Sequence, residues 1–174
     1  MRLLLPVILP ILAGVLILVP RGIRKERRAL TGFFAAALAV ETALVFAALK
    51  AEGSMTLWQL TDTISIAFQV DTVSRLFAAL TSAMWLLVGI YSIAYMEHEH
   101  EEARFFGFYL IVEGVLIGLD FSGNLITMYV FYEMMTLTSL PLVLHERTKE
   151  AVMAGLKYLF YSVAGAFLAL FGIF

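Results

Sequence analysis

The chain of 174 residues contains no cysteine. That excludes disulfides, thiolate zinc sites and cysteine-ligated iron–sulfur clusters. Charge is also scarce, with 15% of residues charged against about 25% in a soluble globular domain. The formal net charge of −2 removes the global basic character that nucleic-acid binding needs. There is no phosphate-binding loop, no nucleophile elbow and no zinc-protease motif, so the chain has no recognisable catalytic centre of its own. Any redox cofactor belongs on partner subunits.

What is present is apolar. Hydrophobic residues make up 61% of the chain and mean hydropathy is +0.91, the balance of an integral membrane protein. Six runs reach or approach the ~20 residues that cross a bilayer, near 3 to 20, 29 to 49, 72 to 95, 104 to 120, 124 to 145 and 150 to 174. The fold class expected is an all-α membrane bundle of about six transmembrane helices. The first run lacks a small-x-small cleavage pattern and is followed by further spans, so it reads as a retained helix rather than a signal peptide. Residues 50 to 70 differ, because Ile64, Ile66, Phe68 and Val70 alternate with Ser65, Ala67 and Gln69. A period of two suits a short strand or interfacial segment, read here as an external cap.

Lysine and arginine set the expected orientation. Arg21, Arg24, Lys25, Arg27 and Arg28 fill the first loop, and Arg104, Arg147 and Lys149 fall on the same side, against Arg2, Lys50 and Arg75 opposite. The positive-inside rule makes the RGIRKERR loop cytoplasmic and the N-terminus external. The chain is thus expected in the plasma (inner) membrane, with lipid and other membrane subunits as partners and no nucleic acid.

Glu133 stands mid-way along LITMYVFYEMMTLTSLPLVL, Leu125 to Leu144. A carboxylate at the bilayer centre costs about 3 kcal/mol, close to what that run's Leu, Ile, Val and Phe residues return at about 0.3 to 0.6 kcal/mol each. At 100° per residue Tyr129, Thr136 and Leu140 share its face, a stripe of phenol, carboxylate and hydroxyl. Lys157 in the sixth run lies about 8 Å from it in depth, within the reach of two flexible side chains, and such a pair is the unit of a proton relay. The alternatives are a snorkelling lysine and a glutamate that only specifies helix packing.

Other ionisable groups are accessory candidates. Glu113 follows Tyr109 by one turn and either extends a lateral proton path or stays protonated and bonded to a neighbouring helix. Glu41 reads as the structural kind. His145, ending LVLHERTKE, is either a titrating entry gate or a cation at a helix C-terminus, and Tyr161 is a further accessory on the helix of Lys157. His98 and His100 in MEHEHEEAR are two residues apart and so point to different helix faces, which favours a solvated charge run over a metal site. Pro141 is expected to kink its helix. Gly155, Gly165 and Gly172 are placed for close helix contact.

The stretch GNLITMYVFYEMMTLTSLPLVLH followed by EAVMAGLKYLFYSVAGAFLALFGI resembles spans five and six of the antiporter-like proton-translocating subunits of respiratory complex I, membrane-bound hydrogenases and multisubunit sodium/proton antiporters. FQVDTVSRLFAAL resembles the family's entry into span three. The resemblance implies that Glu133 is the functional carboxylate and Lys157 a matching lysine. It also implies a role within an NADH:quinone oxidoreductase-like or hydrogenase-like translocase, or within a cation (Na+ or K+)/proton antiporter. The third reading is a structural scaffold without ion conduction. By the same resemblance, residues 1–103 form N-terminal helices one to three with the strand-like loop, and residues 104–174 begin the proton-translocating domain. Family members are longer, and the seventh span with its lysine lies beyond Phe174. The apolar ending therefore reads as an N-terminal portion, a split gene product or a truncation.

Overall fold

The computed structural model describes residues 2–19, 26–50, 53–59, 61 and 64–173. Six helices follow the six apolar runs: α1 Leu5–Leu18, α2 Arg27–Ala48, α3 Thr72–Tyr95, α4 Glu102–Asp120, α5 Leu125–Val143 and α6 Lys149–Ile173. By length and composition α2, α3, α5 and α6 can each cross a membrane. The helix α1 is shorter, and α4 carries Glu102, Arg104, Glu113 and Asp120, a polar load that only a protein-lined position tolerates. Arg21, Arg24 and Lys25 of the expected cytoplasmic loop lie outside the described residues.

The alternating stretch is a strand, β2 Ser65–Val70, paired antiparallel with β1 Gly53–Gln59. The first strand carried too weak an alternation to be read beforehand. Gly53 faces Val70 and Gln59 faces Ser65, with an irregularity between Thr56 and Trp58. The hairpin is stapled to the α4–α5 connection: the Gln69 N–H donates to the Phe121 carbonyl at 2.8 Å and the Gly123 N–H to the Ala67 carbonyl at 2.8 Å. Asn124 caps α5, its Oδ1 accepting the Thr127 N–H at 2.8 Å while its Nδ2 donates to the Ser65 carbonyl at 2.8 Å. Asp71 caps α3 by accepting the Ser74 N–H at 2.7 Å, and that backbone bond holds its carboxyl below the usual carboxylate range.

Successive helices reverse direction, so one end of the bundle carries the hairpin and the other the basic residues. At the basic end Arg27 Nε donates to Glu102 at 2.9 Å, joining the starts of α2 and α4. Helix α4 is the axle. Close contact with α1 depends on glycine: a Cβ at Gly14 would strike the Gly107 carbonyl oxygen, and one at Gly114 would lie 2.5 Å from the Val7 carbonyl oxygen. Missing side chains are what let two backbones approach in a membrane bundle. Aromatic and aliphatic side chains fill the rest, with Phe68, Phe121 and Phe131 near the hairpin and Phe34, Phe106 and Leu110 toward the basic end.

Candidate functional site

Helix α5 positions Glu133. Its side chain is half-buried and lies about 12 Å along the helix from Leu125 and about 15 Å from Val143. Tyr129, one turn earlier, interacts with it. Thr136 belongs to the expected stripe, but it is buried and its hydroxyl donates to the Tyr132 carbonyl at 3.2 Å. A threonine hydroxyl within a helix can bond back to the i−4 carbonyl of its own helix. The stripe is therefore a phenol and a carboxylate, without the third group.

Tyr129 and Tyr132 open onto a cavity of about 600 Å³ between α3, α5 and α6 at the hairpin end, where Asp71, Ser74, Asp120 and Ser122 also line the wall. Asp120 is bonded to Thr81, while its Oδ2 is buried without a hydrogen-bond partner. Polar groups thus run from the hairpin end to Tyr129, with Glu133 one turn deeper. Sequence reasoning had used Asp120 only as a span boundary. Two tyrosines and an aspartate near one helix end were visible, but nothing indicated that they share a cavity.

The structure does not bring Lys157 to Glu133. Helix α6 packs on α5 through Gly155, where a Cβ would lie 2.5 Å from Leu144, and through Tyr158, whose hydroxyl is 2.9 Å from Ser139 Oγ. Lys157 lies 200° around the helix from Gly155 and is exposed, as is Tyr161. Among the described residues no ion pair joins Lys157 to Glu133. The depth estimate was a statement about the helix axis. Azimuth is set by which small residues seat against the neighbour.

His145 lies just past α5, with Nε2 2.9 Å from the His100 carbonyl oxygen and its ring edge-on to Phe105. It packs the α4–α5 basic end, and its Nδ1 is buried without a hydrogen-bond partner. Glu113 is fully buried beside α2, where its charge interacts with that of Glu41, equally buried. Neither carboxyl has a hydrogen-bond partner. Tyr109 does not serve Glu113 either, because its hydroxyl donates to the Trp85 carbonyl at 2.7 Å.

Comparison with known proteins places both halves of the chain. Residues 58–106 match the family described as NADH-ubiquinone oxidoreductase (complex I), chain 5 N-terminus, and residues 122–174 match NADH:quinone oxidoreductase/Mrp antiporter, TM. A component of a probable K(+)/H(+) antiporter of Rhizobium meliloti is 35% identical over 80 residues, covering 46% of this chain and 8% of the relative. NAD(P)H-quinone oxidoreductase chain 5 of Picosynechococcus is 32% identical over 80 residues, covering 46% and 12%. A component of a Na(+)/H(+) antiporter of Staphylococcus haemolyticus is 33% identical over 86 residues, covering 49% and 11%. The matched region is thus about a tenth of each relative's length. A chain of the membrane-bound sulfane sulfur reductase, an archaeal respiratory membrane complex, shares the fold with a TM-score of 0.74 at 15% identity, over 95% of this chain and 35% of that one.

Proposed function

Because this chain belongs to the antiporter-like membrane subunits of the complex I and Mrp antiporter family, we propose that it carries protons through part of the membrane by way of Glu133, inside a multisubunit complex. The observation that supports this reading most is the cavity between α3, α5 and α6, which has Tyr129 on its wall and Glu133 one turn beyond. Water in such a cavity delivers a proton to the Tyr129 hydroxyl, which passes it to the carboxylate by accepting one O–H proton as it donates another. The half-buried carboxylate then hands the proton on where a second acceptor is presented.

Lys157 enters this scheme as a separate station. From the outer face of α6 it meets lipid headgroups or an adjacent helix of the complex, where its positive charge acts as an electrostatic gate. Redox centres, where the complex has them, sit on the partner subunits. In the assembled complex, reconstituted in vesicles, Glu133→Gln should lower proton translocation about a hundredfold, in the range a positioned acid–base group contributes. Undiminished pumping with normal assembly would refute the reading.

Cation/proton exchange is the second reading, favoured by the names of the K(+)/H(+) and Na(+)/H(+) antiporter relatives. Asp71 and Asp120 supply oxygens at the cavity mouth, the ligand type hard cations take. Sodium- or potassium-dependent proton exchange that disappears with Asp120→Asn would establish it.

A further inference from the structure

Glu41 and Glu113 lie on the far side of α4 from the α5 path, and nothing in that path uses them. Both are 0% exposed, and all four of their carboxyl oxygens are buried without a hydrogen-bond partner. They are close enough for their charges to interact. Ser82 of α3 is 0% exposed, and its Oγ is also buried without a partner.

The depth of the two carboxyls follows from the contacts one turn away. Trp85 and Tyr109 are bonded to each other's backbone, Nε1 to the Tyr109 carbonyl at 3.2 Å and the phenol to the Trp85 carbonyl at 2.7 Å. Leu38 of α2 and Tyr109 of α4 both lie against the Gly89 position of α3. Helices α2 and α4 run in the same direction, so Glu41 and Glu113, each one turn further along, share a depth. Ser82 shares its helix face with Ala78 and Gly89, the buried face of α3.

We propose that Glu41 and Glu113 form a second buried proton-binding site, which holds and exchanges one shared proton independently of Glu133. Two adjacent carboxylates without donors in a dry interior cannot both carry charge, since an isolated buried ion costs several kcal/mol or more even after relaxation. A proton on one carboxyl lets it donate toward the other, directly or through a water. Only O–H bonds form and break, and the proton comes from and returns to water. Thr127 bonds Asn124 and Ala67, and Tyr158 bonds Ser139. The carboxyl pair has no such partner, so its lone pairs are available to a mobile proton.

The groups facing the pair are few. Helix α1 contributes no titratable side chain over Leu5–Leu18, and α2 contributes only Glu41 between Arg28 and Lys50. On α3, Arg75 sits in the first turn at the hairpin end, and Tyr91 and Tyr95 are exposed. On α4, Tyr109 is committed to Trp85, while Arg104 donates to the Pro141 carbonyl at 3.3 Å on the α5 side. Helix α5 turns Phe131 toward α4 over Gly118, with Glu133 and Tyr129 away from it. Among the described residues no cation pairs with either carboxyl.

Infrared difference spectroscopy of the intact complex, stepped between neutral and alkaline pH in water and in deuterium oxide, tests the proposal. A carbonyl band of a protonated carboxyl that appears reversibly with pH and shifts in deuterium oxide is expected. It should move in frequency or in pH midpoint in Glu41→Gln and in Glu113→Gln, be lost when both are glutamine, and be retained unchanged in Glu133→Gln. A band unmoved by both single variants, or a band that never exchanges with deuterium, would overturn the shared mobile proton. Should one glutamine variant fail to assemble, the other still decides the outcome by whether the band moves. Because Glu133→Gln leaves the dyad band in place, failure of the α5 path and failure of this site are read separately.

Discussion

Helices α4 and α6 are both apolar, about as long as a membrane is thick, and interrupted by one ionisable residue near the middle, yet they occupy opposite environments. Twelve residues of α4 are buried, including Glu113, against two of α6, Gly155 and Ala166. Helix α4 is surrounded by α1, α2, α3 and α5, whereas α6 touches the rest of the bundle mainly through α5. The same composition thus yields an internal axle in one case and a peripheral helix in the other. A charge in the axle must be neutralised or paired within the protein. A charge on the periphery is free to meet lipid or another chain of the complex.

Substitutions at small residues separate the two helices most sharply. Gly114→Val places methyl groups against the Val7 backbone and Pro10, where neither partner can move cheaply. A loss of about 3 kcal/mol is expected, read as a lower melting temperature in detergent and poor yield. A stable Gly114→Val protein would show that α4 is not held at this distance. Next in size is Lys157→Gln, which should leave folding unchanged but slow proton translocation several-fold, because the exposed ammonium contributes charge and not packing. Equal losses of stability and transport would instead make it a packing residue. Smallest is Gly172→Leu on α6, where an added Cβ meets nothing within 4 Å. Chain stability should change by less than about 0.5 kcal/mol. A fall in complex assembly without a fall in chain stability would mark this face as a contact with a neighbouring chain, the outcome the scaffold reading requires.

Much of this architecture was legible beforehand. Runs of apolar residues long enough for a bilayer located all six helices, and β2 was signalled by alternation of Ile66 and Phe68 with polar or small neighbours. The Glu133–Tyr129 relation followed from a four-residue spacing that any α-helix obeys. The partner of Glu133 was not legible. Residue spacing reports depth along a helix, but Lys157 turned away because Gly155 and Tyr158 took the seam with α5. Glu41 and Glu113 are 72 positions apart by numbering, and no local rule could have joined them.

The amino-acid sequence by itself determined that this is a multi-pass membrane protein, where its helices run and which ionisable residues must be placed inside them. Only the tertiary structure decided which of those residues meet. The reason lies in the solvent. In water an apolar stripe marks the buried face of a helix, but lipid is as apolar as a protein core, so α4 and α6 are hydrophobic on every side and carry no stripe to read. Close approach at Gly14, Gly114 and Gly155 then chooses the inward faces, and with them sets Glu41 beside Glu113 and Lys157 toward the outside.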